Sequence, residues 1–427
     1  MFNEFKDRIK KAIRRETAAA VKANNEVLCD RLDKAETRLA DMIAQKDNCG
    51  EKPQIVAKQQ RERLRRALEH DDPDEALQAV KALTAQRRRL DEQFLQQADT
   101  YRTMILRKKG DERYKGALKE LFRFHRVDEF DRPQYADISK FRFPLQQAES
   151  LRLQYAIRRR KKQIGHVPDR YLVVSKQAGE DFARMCGIAC PETTYDLSLD
   201  QIPRKDRIVI KPMQGNGSKC VFVVNAPDDI WSVERHERLS SWEEMAADIR
   251  SDLDKGRIAE DRFEVQEAIY SNRATKEPVH DLKFYAFYGE IAAVGEIVRM
   301  PHKYTWWWTG EGEAIKTKDV IPDDAKSYGF TTEMLETARR LSLKIPAPFM
   351  RLDFLRAEDG IYFDEFCTFS GGSGATMLEW GYPQWDRRYG NAYLKAEMRI
   401  INDLLAGKRF DEINEFNRKM EADRTSM

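Results

Sequence analysis

Four side chains in the last quarter of the chain, Arg351, Asp353, Asp364 and Glu365, have the types and spacing of an ionic site. They lie on two apolar runs, FMRLDFL and IYFDEF, joined by the turn residues Glu358, Asp359 and Gly360. Side chains alternate along a strand, so Arg351 and Asp353 share a face, and a hairpin would set Glu365 opposite them. Two inward carboxylates in apolar strands carry a burial cost that a hard cation relieves, which points to Mg²⁺ bridging phosphates. A buried Arg–carboxylate pair that only holds the hairpin is the alternative.

A second constellation lies upstream, in RIVIKPMQGNGSKCVFVV (residues 207–224), which reads as strand, Gly-rich turn, strand. Gly215 and Gly217 let backbone approach a ligand without Cβ interference, and successive N–H groups in such a turn form an anion nest. Lys211 and Lys219 flank the turn with point charges suited to phosphate oxygens. The plain alternative is a hairpin tip whose glycines serve only the turn. Neither G-K-[ST] nor G-x-G-x-x-G occurs here, so this is neither a P-loop nor a dinucleotide fingerprint. Ser370, Gly371, Gly372, Ser373 and Gly374 form another donor-rich loop directly after the carboxylate run, able to close over a substrate or simply to turn the chain. Arg299 ends a strand-like run and Lys283 lies within LKFYAFY; each alone reads as a surface charge. Trp306, Trp307 and Trp308 read as a loop between Tyr304 and Gly310, where they would stack on a ligand or plug a core.

These residues need elements to hold them. From Tyr171 onward, strand-like runs (YLVV, RIVIKPM, KCVFVV, RFEVQEAI, PFMRLDFL, IYFDEF) alternate with helical ones, giving an α/β or α+β unit. Residues 1–165 hold four of the 21 glycines and none of the seven tryptophans, and read as helical. Residues 18–42 carry an apolar seam at heptad spacing (Ala18, Val21, Leu28, Leu32, Ala35, Leu39, Met42), broken by Asn25, and read as coiled-coil-like. Asp71, Asp72 and Pro73 mark the start of a later helix, and Gly110 its end. The basic run 158–162, Gly165 and Pro168 place a boundary at 165, giving a helical domain 1–165 and a second domain 166–427.

Composition narrows the classes. With 427 residues, 41% apolar and 34% charged, the chain is globular and has room for two domains. No apolar run is long enough to span a bilayer and no secretory leader is evident, so a cytoplasmic protein is expected. The six scattered cysteines read as free thiols. The net charge of +3 hides an asymmetry: residues 1–165 carry 39 basic against 27 acidic residues, and residues 166–427 carry 36 against 45. The basic residues of the first part are interleaved with acids and accompany no nucleic-acid motif, so no nucleic-acid partner is expected. Phe2, Phe5, Ile9 and Ile13 share a helical face ringed by Lys and Arg, which fits peripheral contact at the inner membrane face or the outer helix of a bundle.

Taken in order, VVSKQAGEDFARMCGIACPETTY, VIKPMQGNGSKCVFV, FEVQEAI, HDLKFYAFYGEI, EMLETARRLSLKIPAPFMRLDFL and IYFDEFCTFSGGSG resemble the ATP-grasp superfamily. Within it the chain is most similar to the TupA-like group linked to teichuronopeptide and other surface-polysaccharide biosynthesis. The resemblance spans roughly residues 169–405. It implies an α+β fold of two subdomains gripping ATP, behind an all-helical N-terminal domain. It also implies roles. Lys176 and Lys211 would contact nucleotide phosphates, and Gln214, Gly215, Asn216, Gly217, Ser218 and Lys219 would form the mobile loop over them. Gln266, Glu267 and Ile269 would meet adenine and ribose, and Lys283 sits in the D-x-K-F motif. Asp353 and Glu365 would ligate Mg²⁺, while Arg299 and Arg351 would hold acyl-phosphate and carboxylate. Two positions depart from the pattern: Cys367 stands where Asn is common, which puts a second Mg²⁺ in doubt, and Ser175 stands where Asp is common.

The expectation is therefore an ATP- and Mg²⁺-dependent carboxylate–amine ligase acting through an acyl-phosphate, with Lys211, Arg299 and Arg351 in catalytic roles. Its substrates would be a carboxylate and an amine, one of them an amino acid or uronic acid unit of a cell-surface glycan such as capsule. Self-association through the N-terminal helices is expected. A sugar or glycan phosphotransferase and a nucleotide-binding scaffold without turnover are the alternatives.

Overall fold

The computed structural model describes residues 53–107, 115–146, 148–166, 173–215, 218–371 and 378–425. The seam at residues 18–42 and the Phe2–Ile13 face lie outside them. Among the described residues no helix is long and apolar enough to cross a membrane. The chain divides into two compact units, residues 1–147 and 148–427.

The described part of the first unit is helical: α1 (Pro53–Glu69), α2 (Pro73–Leu106), α3 (Lys115–Phe122) and α4 (Arg132–Phe141). The start of α2 follows directly from its residues. Asp72 accepts a hydrogen bond from the Glu75 N–H at 2.9 Å, and Pro73 occupies the first turn, where no N–H is needed. A small core of Ala98, Leu118, Leu121, Phe122, Ile138 and Phe143 joins α2 to α3 and α4.

The second unit opens with α5 (Leu151–Gln163). The expected boundary at 165 falls after this helix, but the helix packs within the second unit, so the division comes at 147. Leu151 and Tyr155 are buried in the main core, and the Asp386 carboxylate accepts from the Ser150 hydroxyl at 2.8 Å and the Arg152 N–H at 3.0 Å. The basic run 158–162 forms the last turns of this helix, with Arg158 over the Phe369 ring and residues 159–162 exposed.

Then follow α6 (Lys176–Met185), β1 (Thr193–Leu197), β2 (Ile208–Pro212), β3 (Phe222–Ala226), β4 (Asp229–Ser232), β5 (Glu237–Leu239), α7 (Trp242–Asp254) and β6 (Phe263–Glu267). The short pair β7 (Tyr270–Asn272) and β8 (Glu277–Pro278) leads to β9 (His280–Phe287), β10 (Glu290–Val298), β11 (Tyr304–Thr309) and α8 (Thr332–Ser342). The chain closes with β12 (Met350–Ala357), β13 (Gly360–Cys367), the single turn α9 (Leu378–Gly381), α10 (Pro383–Leu405) and α11 (Asp411–Thr425).

Two antiparallel sheets result. One runs β1-β6-β2-β3-β4-β5 and packs one face on α7; the other runs β11-β10-β9-β12-β13. The five-stranded sheet is covered on its far face by α6 and α8, and part of its near face by α10. Two expectations fail locally. The run YLVV, expected as a strand, is not one where it is described: Val173 and Val174 form a helical turn leading into α6. The three tryptophans, expected in a loop, lie in the edge strand β11, paired with β10 from Ala293↔Thr309 to Val298↔Tyr304.

Candidate active site

Alternation places the site. In β2, Ile208, Ile210 and Pro212 are buried while Val209 and Lys211 face the other way; in β6, Phe263 and Val265 enter the same core and Glu264 and Gln266 turn away from it. Lys211 stands opposite Glu264 in register, and Val209 opposite Gln266. On the second sheet, Leu352 and Phe354 fill the main core, so Arg351 and Asp353 share the opposite face, with Lys283 of β9 paired to Asp353.

The β12–β13 hairpin does bring Asp353 and Glu365 directly opposite each other. It also does something that simple alternation does not foresee. Phe354 pairs with Phe363, so Asp364 has no partner across the hairpin and forms a bulge. Phe363 and Phe366 both enter the core, with ring centroids 4.5 Å apart, and the bulge turns Asp364 and Glu365 to the site side together. The spacing F-D-E-F, with two core aromatics three apart in a strand, is the trace of that bulge in the sequence.

The charges interlock. Arg351 grips Asp353 bidentately, Nε to Oδ1 and Nη2 to Oδ2, each at 2.7 Å, and its Nη2 reaches Glu365 Oε1 at 3.1 Å. Lys283 also donates to Asp353. Burial pushes the Asp353 carboxyl up, but Arg351 and Lys283 outweigh it and hold it far below the usual carboxylate range. For Glu365, burial and then the negative charge of Asp353 push the carboxyl up to about 7. Its side chain keeps 39% of its surface open.

Lys211 links the two sheets: its Nζ donates to Asp364 Oδ1 at 2.9 Å and lies 4.0 Å from Glu264. Burial disfavours its charge, but Asp364 and Glu264 more than offset this and keep it an ammonium. Lys176, the first residue of α6, donates to Glu264 Oε1 at 2.9 Å and to the Pro212 carbonyl at 3.0 Å. Arg299 donates to Asp281 at 2.8 Å and to the Ser218 hydroxyl at 3.1 Å, tying the turn after β2 to the second sheet.

The remaining expected residues sort by position. Gln214, Gly215 and Lys219 are exposed in the turn, and Asn216 and Gly217 lie outside the described residues. Gln266 is buried beside Glu264. The Glu267 carboxylate accepts from the Glu192 N–H at 3.2 Å, an engagement at the strand edge. Ile269 clusters with Leu355 and Ala357, joining the end of β6 to the second sheet. Ser370 is fixed by the Tyr155 hydroxyl, the Tyr285 hydroxyl and Glu379, whereas Gly372, Ser373 and Gly374 lie outside the described residues. Trp307 is buried over Gly295 and against Tyr285, and Trp308 Nε1 donates to Glu296 at 3.3 Å, so these two plug the sheet. Glu264 and Asp281 are site groups that the sequence does not single out, and Asp364, part of the expected ionic cluster, takes an unforeseen partner in Lys211; these partners sit on other elements.

A hard dication suits this donor set. Asp353 and Glu365 are paired carboxylates on adjoining strands, and their mutual repulsion is one cause of the raised Glu365 pKa. Among the described residues no three metal-type side chains converge as they stand, because Asp353, Asp364 and Glu365 are each drawn to cationic side chains. Cys367 adds nothing to the set: burial raises its pKa, which keeps the thiol protonated.

Two antiparallel sheets with helices packed on them, meeting where Lys211 of one reaches Asp364 of the other, make up an ATP-grasp fold. The chain belongs to the TupA-like ATP-grasp family, whose model matches residues 153–392, more than half of its length. No curated protein matches it. Similar solved structures include the ATP-grasp ligase PsnB complexed with a phosphomimetic variant of its minimal precursor, Mg and ADP, at 13% identity, 57% of this chain, 71% of that one and TM-score 0.33. D-alanine–D-alanine ligase from Bacillus anthracis is similar at 12% identity, 54% and 69% coverage and TM-score 0.32. The macrocyclase MdnC of Microcystis aeruginosa, bound with its precursor peptide MdnA, is similar at 12% identity, 53% and 62% coverage and TM-score 0.32.

Proposed function

We propose that the protein is an ATP- and Mg²⁺-dependent ligase joining a carboxylate to an amine. The observation that carries this reading is the pairing of Asp353 with Glu365 on one sheet, with Lys211 reaching their neighbour Asp364 from the other sheet and Lys176 joined to the same cluster through Glu264. Asp353 and Glu365 would hold Mg²⁺, which supplies neutralisation of phosphate charge when bound. Lys176 and Lys211 bind the phosphates of ATP, and Gln266 and Ile269 line the nucleoside side. Arg299, joined to the Ser218 turn, orients the γ-phosphoryl group toward the substrate carboxylate. The carboxylate oxygen attacks phosphorus and ADP leaves. The amine then displaces phosphate from the acyl-phosphate, forming the C–N bond and releasing a proton. Arg351 keeps Asp353 ionised throughout, and no side-chain nucleophile is required.

One of the two substrates is proposed to belong to a surface polysaccharide or its precursor, on the family's association alone, with the protein working in the cytoplasm. ADP release tests the reading, measured with Mg²⁺-ATP and a panel of amino acids and uronic acids beside Asp353→Asn and Glu365→Gln. Turnover that needs both a carboxylate and an amine and vanishes in the variants supports it. Turnover with a sugar alone makes the enzyme a kinase instead.

A further inference from the structure

We propose that Glu264 is a positioning residue for the nucleotide polyphosphate, holding Lys176 and Lys211 as one cationic pair; this rests on the nucleotide-binding reading above. Glu264 lies in β6 between Phe263 and Val265, whose side chains fill the core under α7, and its own side chain points the other way, 3% exposed. Its Oε1 accepts from Lys176 at 2.9 Å and lies 4.0 Å from the Lys211 ammonium. Its Oε2 is buried with no hydrogen-bond partner among the described residues.

The two lysines come from different layers. Lys176 begins α6, which packs on β13 through Phe182 and Phe366, whereas Lys211 lies in β2 of the other sheet. One shared anion offsets the repulsion between the two ammonium groups and holds them close. The strand itself does not require this carboxylate. β6 is paired on both sides, to β1 and β2, and Lys176 already has the Pro212 carbonyl at 3.0 Å. A buried carboxylate with an orphaned oxygen is a stability cost, and such a cost fits a group kept for a ligand.

A bare count of charge predicts the opposite of this proposal, because removing a negative group from a phosphate site should tighten ADP binding. The direction of the change therefore decides. We would measure ADP and adenosine binding by calorimetry with Mg²⁺ for the full-length wild type, Glu264→Gln and Glu264→Asp. Glu264→Gln, which keeps shape and loses charge, is expected to weaken ADP at least tenfold and to change adenosine less than twofold. Glu264→Asp is expected to recover at least threefold of that loss. ADP binding that is unchanged or tighter in Glu264→Gln overturns the proposal. So does an equal loss of both ligands, the mark of a merely structural role, or no recovery in Glu264→Asp. A wild type that binds no ADP fails differently: it overturns the nucleotide-binding reading itself, and this inference with it.

Discussion

The two sheets of the second unit handle charge in opposite ways. The six-stranded sheet packs one face on α7, so β2 shows strict alternation, and its polar residues point away from the core. In the five-stranded sheet both faces of the middle strands are covered, and β9, β10 and β12 are buried almost throughout. Polar groups there have no solvent to turn to. They survive only because each is compensated by a neighbour, as Arg351 and Lys283 compensate Asp353. Charge at the half-buried Lys211 of the first sheet should therefore be replaceable with modest structural loss, whereas on the second sheet it is built into the packing.

Asp353→Asn tests that contrast most severely. It should cut ADP release by about 10³-fold, since the group proposed to hold the metal loses its charge. It should also cost stability, on the order of 3–5 kcal/mol, because Arg351 and Lys283 lose their anion inside the protein. Thermal melts alongside ADP release separate the two losses, and Glu365→Gln, at the more open side of the pair, should lose activity with little change in melting. Lys211→Met, on the first sheet, should raise the KM for ATP by about 10²-fold, or roughly 2.7 kcal/mol, and leave folding nearly intact. If Lys211→Met destabilises as much as Asp353→Asn, the contrast between the sheets is wrong.

What the sequence disclosed follows the same division. The β2–β3 hairpin, the Asp72 cap and the opposed Asp353 and Glu365 were legible, because each depends on local turn chemistry or on alternation over a few residues. The bulge at Asp364 was hidden, since strict alternation would have set Asp364 and Glu365 on opposite faces. Three consecutive tryptophans cannot alternate, and they read as a loop although β11 uses them on both faces. The run at Tyr171 failed for a related reason: Val173 is fully buried in a helical turn, and a four-residue apolar run carries no period. Pairs such as Lys211 with Asp364, 153 positions apart, depend on the assembled fold, and no local pattern announces them.

The covered face of the five-stranded sheet also makes a backbone prediction. Gly390 of α10 comes so close to the start of α5 that a Cβ there would lie 2.3 Å from the Glu149 carbonyl carbon and 2.4 Å from the Ser150 nitrogen. Gly390→Ala must push the two helices apart, and about 1–3 kcal/mol of stability should be lost. The fall in Tm should be roughly 2–4 °C per kcal/mol for a unit of this size. An unchanged Tm would mean that α5 is not tightly docked on α10.

The smallest effect should come from the far face of the same sheet, where compensation is by hydrogen bonds alone in part. Glu296, fully buried in β10, accepts from the Tyr328 N–H at 2.7 Å, the Gly329 N–H at 3.0 Å and the Ser327 hydroxyl at 2.5 Å, and its Oε1 lies 2.8 Å from His280 Nδ1. Burial raises its pKa, but the bonds from His280, Ser327 and Tyr328 outweigh that and bring it below 4.5. A carboxyl whose folded pKa is depressed stabilises the fold fully above its unfolded value and loses that contribution as pH falls through the folded one. Wild-type protein should therefore be more stable than Glu296→Gln at pH 7, with the gap narrowing as the pH drops below 4.5. Denaturant melts of both proteins between pH 7 and 3 measure the gap directly. A gap that stays constant with pH would mean that Glu296 acts through its shape, and that charge on this face is not what the surrounding donors were arranged to hold.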